Sequence, residues 1–190
     1  MTQTTSTTEG TTSAKSATWN IDASHTNATF SVRHLMISNV RGEFQKVSGT
    51  VTYDPAKPEA MKVHATLEVA SISTRDANRD AHLKSGDFFD AEKFPLITFT
   101  GTSFRRGDKG NEVLGTLTIK DVTRDIVLLL DGPTPEQKDP WGNNRLGASA
   151  STKIKRSDYG IIWNTVLETG GVVVGDEITI NLDVELVQAK

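Results

Sequence analysis

The chain has 190 residues, a formal net charge of −3 and no cysteine. That length suits one domain with a substantial core. The charge offers no basic excess to draw in nucleic acid or an anionic membrane. The missing thiols exclude disulfides, thiolate nucleophiles and sulfur-ligated zinc.

Residues 1–17 are mostly Thr, Ser and Gly and hold no apolar stretch of the kind that marks a secretory signal. They read as a disordered tail, because they cannot bury enough surface to offset the entropy of ordering. Residues 18–190 then form the single folded domain. No later apolar run approaches the roughly 18 residues that span a bilayer. A cytoplasmic location is the simplest expectation, with a periplasmic or secreted one if a signal has been removed.

From Trp19 onward the text reads as strands. Phe30, Val32, His34 and Met36 alternate with Ser31, Arg33 and Leu35, the period of two expected of a half-buried strand. A second strand runs through Phe44 and Val47 to Tyr53 and stops at Asp54-Pro55. Over residues 61–72, Val63, Ala65, Leu67 and Val69 share one face, and His64, Thr66 and Glu68 the other.

Residues 74–83 break the pattern and predict a short helix, capped by Ser73 or Thr74 with Asp76 in its first turn. Residues 85–90 follow as a loop carrying Phe88 and Phe89. Strands resume with Ile97, Phe99 and Gly101 on one face, a hairpin turn at residues 106–111, and alternation at Val113, Gly115, Leu117 and Ile119. Residues 125–130 are apolar on both faces and predict packing on both. Residues 131–144 read as a long surface loop. Leu146, Ala148, Ala150, Thr152 and Ile154 share a face, as do Ile178, Ile180, Leu182, Val184 and Leu186. About eight strands with one helical insertion point to an all-β fold rather than βαβ units.

Small residues recur on these faces: Ala65, Gly101, Gly115, Ala148 and Ala150. Two readings stand. In a barrel of about eight strands they leave room for a ligand, or they mark places where strands bend or pack closely. The charged run over residues 75–84 also has two readings. Arg79, His82 and Lys84 could hold a polar head group through paired donors, or they could knit the short helix together.

Signals for catalysis are thin. His25, His34, His64 and His82 show no metal-ligand spacing. There is no G-x-S-x-G elbow, and Gly170-Gly171 lacks the Lys and helix of a phosphate loop. Asp87 and Asp90 flank an aromatic turn and read as turn formers. The chain therefore reads as a binding protein with no metal or cofactor. The alternatives are an enzyme on a lipid-like substrate, using His25, His34 or Asp80, and a stress-related interaction barrel.

Several stretches resemble the YceI-like family of polyisoprenoid-binding, lipocalin-like proteins, over residues 19–187. They include Trp19-x-Ile21-Asp22-x-x-His25, Phe30-x-Val32-x-His34-Leu35 and Val40-x-Gly42-x-Phe44. The run over residues 79–95 is the most specific, and Arg156-Ser157-Asp158-Tyr159-Gly160 and Gly175-Asp176-Glu177 follow it. The resemblance implies an extended eight-stranded antiparallel barrel with an internal tunnel, a bound polyisoprenoid or other long-chain lipid, and a homodimer. Alternation and motif position together assign the tunnel wall to Phe30, Val32, Met36, Phe44, Leu83, Phe88, Phe89, Phe94 and Phe99. Arg79, His82 and Lys84 are the head-group candidates. Tyr159 stands where the family frequently has Phe, which would add a hydroxyl near the pocket.

Overall fold

A computed structural model describes residues 16–107, 110–166 and 172–190. The tail expected over residues 1–17 falls outside them up to residue 15, as do the middle of the 106–111 hairpin and Gly170-Gly171. The strands are β1 (Ala17–Ile21), β2 (Asn27–His34), β3 (Ser38–Phe44), β4 (Val47–Tyr53), β5 (Lys62–Glu68) and β6 (Ile72–Ser73). Helix α1 (Ala77–Lys84) follows. Then come β7 (Leu96–Gly107), β8 (Gly110–Ile119), β9 (Val122–Asp131), β10 (Gln137–Lys138), β11 (Asn144–Lys155) and β12 (Val174–Gln188).

Eight of these strands, in the order β11-β9-β8-β7-β5-β4-β1-β12, close into an antiparallel barrel when β12 pairs back onto β11. The 15-residue β12 gives one edge to β11 along residues 177–187. Its other edge serves two neighbours. Leu186 to Gln188 pair with β1, whereas Val174 to Asp183 pair with β2. Strands β2, β3 and β6 therefore extend the wall beyond the short β1. Strands β9 and β11 meet through only three residue pairs, Ser149–Asp131, Ala150–Leu130 and Ser151–Leu129.

Four expectations need correction. The alternation of β2 stops at His34, because Leu35 and Met36 take left-handed backbone (φ 51° and 58°) and turn the chain into β3. The cap of α1 is Asp76, which accepts from the Arg79 amide at 3.0 Å, and not Ser73 or Thr74. Strand β9 is packed on one face only, since Val127 and Leu129 are 37% and 38% exposed where no second layer covers the barrel. The 131–144 loop contains β10, paired to Asn144 and Arg145. Among the described residues, no helix is long and apolar enough to cross a membrane.

Candidate functional site

The strand pleat sends alternate side chains into the barrel. From β11 come Leu146, Ala148, Ala150, Thr152 and Ile154, and from β12 Ile178, Ile180, Leu182, Val184 and Leu186. Ile97 and Phe99 of β7, Val113 and Leu117 of β8, and Leu128 of β9 face them. Together they enclose an elongated cavity of about 260 Å³. From Leu146 to Ile154 the wall follows roughly 27 Å of strand, or about 20 Å along the axis at the usual barrel tilt. Residues from both ends of that stretch line the one cavity. Of the small residues, Ala65, Ala148 and Ala150 lie on this wall, whereas Gly101 and Gly115 do not and pack closely instead, a Cβ at Gly115 standing 2.8 Å from both Gly101 Cα and Phe99 Cζ.

One end is covered by α1 and the turn after it, through Leu83, Phe88 and Phe89. Phe30, Phe44 and Phe89 form an aromatic row, with centroids 5.8 and 5.9 Å apart. Of the expected tunnel residues, Phe30, Val32, Phe44, Leu83, Phe88, Phe89 and Phe99 line the cavity, and Met36 and Phe94 do not. Met36 is 59% exposed, because the hairpin turn breaks the alternation that would have aimed it inward. Phe94 closes the turn that begins at Asp90, with its amide on the Asp90 carbonyl at 2.8 Å and the Lys93 ammonium over its ring.

Arg79, His82 and Lys84 are not on the cavity wall. The Arg79 guanidinium donates to Thr74 Oγ1 at 2.7 Å and to the Thr74 carbonyl at 2.9 Å, which ties down the turn before α1. Asp80 accepts from the Thr74 amide at 2.8 Å and from its hydroxyl. His82 Nε2 lies 2.9 Å from Asp87 and its ring stands edge-on to Phe88 and Trp163. Lys84 is half-buried at the last turn of α1. This geometry accounts for Arg79, Asp80 and His82 as a network that holds the cover in place.

The charged residue on the wall is Arg156, which the charge pattern of α1 drew attention away from. It is the first residue of the 3-10 turn Arg156–Tyr159 that follows β11, two positions beyond the inward-facing Ile154. It is 7% exposed. Its Nε donates to the Gly175 carbonyl at 3.0 Å, its Nη1 to those of Ile161 and Trp163 at 2.8 Å each, and its Nη2 to that of Val174 at 3.4 Å. Burial lowers its pKa and nearby Asp176 opposes that shift, yet an arginine stays charged. Tyr159, in the same turn, is 2% exposed and does not line the cavity. Its hydroxyl has no partner among the described residues, and burial pushes its pKa up to about 12.

A second polar cluster sits outside the barrel. Arg145 donates to Asp22 and to Asp139, each at 2.7 Å, and to Glu185. The Asp22 carboxyl is held well below the carboxylate range by hydrogen bonds from Ser24, Arg145 and His25. Arg145 does the same to Asp139. His25 is shifted upward by its bond to Asp22. Asp22, His25 and Glu185 bring ligand-type atoms within 4.8 Å of one another, but the Arg145 guanidinium already takes the same carboxylate oxygens.

Comparison with known proteins agrees with this architecture. The solved YceI protein of Campylobacter jejuni superposes with a TM-score of 0.67 at 36% identity, covering 83% of this chain and 90% of that one. A structure described as a polyisoprenoid binding domain from Saccharophagus degradans superposes at 0.64 over 92% of this chain and all of that one, with 14% identity, and so shares the fold. Protein YceI of Escherichia coli is 36% identical over 182 residues, which is 94% of this chain and 91% of that protein. The profile of the YceI-like domain matches residues 19–186. The chain belongs to the YceI-like family.

Proposed function

We propose that this protein holds one long-chain apolar or amphiphilic lipid, of the polyisoprenoid or isoprenoid quinone type, and serves as its carrier or reservoir. The observation that carries the reading is the apolar cavity inside the barrel, lined along the whole inward faces of β11 and β12 and by the strands opposite them. Each CH₂ taken from water contributes about 0.8 kcal/mol. A partly filled bore therefore offsets the roughly 4–15 kcal/mol cost of association. The polyisoprenoid-binding description of the Saccharophagus degradans structure supports the same reading. Apolar burial selects for chain length and girth, and leaves the head group to polar contacts.

Native mass spectrometry of protein purified from its host, followed by solvent extraction, tests the proposal. The expected result is a bound long-chain lipid that is absent from the Ala148→Trp variant, in which an indole fills the middle of the bore. A native protein that is empty, and that also fails to take up added isoprenoid, would overturn it.

A further inference from the structure

The tip of the β2–β3 hairpin is a tight turn. The Ile37 amide donates to the His34 carbonyl at 3.0 Å, and the two central residues, Leu35 and Met36, take left-handed backbone. Positive φ at both central positions is the signature of a type I′ turn, which favours Asn and Gly. Here Leu and Met stand there instead. Met36 and the following Ile37 are both exposed, Ile37 at 78%, so neither the backbone nor the core gains from these apolar side chains. Leu35 also donates its amide to the Val173 carbonyl at 2.8 Å, and Val173 donates its own to Thr165 at 3.1 Å, which joins the tip to residues 162–166 in one surface. That surface lies over the covered end of the cavity. Ile161 lines the cavity, Ile162 beside it is 75% exposed, and Trp163 packs on His82 and Phe88 of the cover.

Charge at this end departs from the chain's net −3, because residues 33–42, 159–166 and 172–175 hold no carboxylate. Arg33 and Arg41 are exposed. They pair across the hairpin with Asn39 and Ser31, and Val32 between Ser31 and Arg33 lines the cavity, so both arginines stand on the outer face. Neither is in an ion pair among the described residues. Asp176 is turned onto Ser157, accepting from its hydroxyl at 2.8 Å, and Glu43 lies at the far end of β3. Exposed aliphatic side chains flanked by unpaired cations are the composition of an interfacial membrane anchor. We infer that the end of the barrel covered by α1 docks on an anionic lipid bilayer, with Met36, Ile37 and Ile162 entering the interface and Arg33 and Arg41 meeting the lipid phosphates. The choice of a bilayer as partner rests on the lipid-holding reading above: a long-chain lipid comes from a membrane and returns to one, and this surface is continuous with the cover of the cavity that holds it.

Co-sedimentation of the full chain with lipid vesicles tests the inference. The wild type is expected to pellet with vesicles of mixed phosphatidylcholine and phosphatidylserine, and less with phosphatidylcholine alone. Ile37→Asn is expected to weaken binding to both kinds about tenfold, the share of one large aliphatic side chain. Arg33→Gln is expected to weaken only the binding to mixed vesicles, about fivefold. Met36→Gly gives a readout that a structural role would not: glycine suits the left-handed position, so the variant should be at least as stable as the wild type and yet pellet less. Trp141 is exposed beside the opposite end of β12, and Trp141→Ser should pellet like the wild type. Pelleting that survives Ile37→Asn, or that Trp141→Ser removes, overturns the inference. A wild type that ignores vesicles but forms dimers that Ile37→Asn dissolves also overturns it, and gives the surface to a second copy of the chain. Uptake of geranylgeraniol offered in detergent is measured alongside. Protein that takes it up but does not pellet overturns the docking alone. Protein that pellets but takes up none sinks the lipid-holding reading and leaves the docking in place.

Discussion

The ring of Phe30 occupies the space that a side chain at Gly42 would fill. The two residues are cross-strand partners in β2 and β3, and a Cβ at Gly42 would stand 2.8 Å from Phe30 Cε1 and 2.8 Å from Thr74 Cγ2. Gly42→Ala must therefore push Phe30 toward the bore or away from Phe44. The expected cost is about 1–3 kcal/mol of stability, measured by denaturant unfolding, together with weaker binding of a C20 isoprenoid. Unchanged stability and binding would show that the ring has free space elsewhere.

Tyr159→Phe removes a buried hydroxyl that has no partner among the described residues. An unsatisfied polar group of this kind costs about 1–3 kcal/mol. The variant is expected to be as stable as the wild type or more so, by thermal denaturation, and to bind isoprenoid equally, since Tyr159 is off the cavity wall. A clear loss of stability would count against the bare hydroxyl.

Arg145→Met takes the shared partner from Asp22, Asp139 and Glu185. Folded Asp22 and Asp139 titrate below their ordinary 3.8. Their contribution is therefore complete above about pH 5 and drains away as pH falls through the folded values. The variant is expected to melt lower at pH 7, with the gap to wild type narrowing below about pH 4. A gap that does not change with pH would assign the loss to packing instead.

His25 should titrate above its ordinary 6.5, because its bond to Asp22 favours the imidazolium. That contribution is full below the unfolded value and is lost as pH rises through the folded one. Proton NMR of the His25 ring reads the midpoint directly. Asp22→Asn is expected to move it down, and an unmoved midpoint would detach His25 from Asp22.

Alternation made much of the bore legible in advance. Leu146 to Ile154 and Ile178 to Leu186 obey it without interruption, because both strands lie wholly in the barrel wall. It misled at Met36, where two left-handed residues reverse the chain, and at residues 125–130, where apolar outward residues meet solvent instead of a second layer. Arg79, His82 and Lys84 drew notice because charge clusters there, yet what a charge serves depends on partners such as Thr74 and Asp87 that only folding brings near. Arg156 stands one residue past the end of β11, where the 3-10 turn begins. An arginine after five inward residues reads as the end of a face until its carbonyl partners, which lie 5 to 19 positions away, are seen around it.

The barrel is not equally sewn all the way round. Three residue pairs join β9 to β11, whereas eleven join β11 to β12. A seam that short separates at a smaller free energy than its neighbours, so the amide hydrogens bonded across it should exchange through local opening. Parting it would slit the wall lengthwise beside Ala150 and Leu130. A long chain could then be laid into the bore from the side, like a cord into a split sleeve, without being threaded from one end.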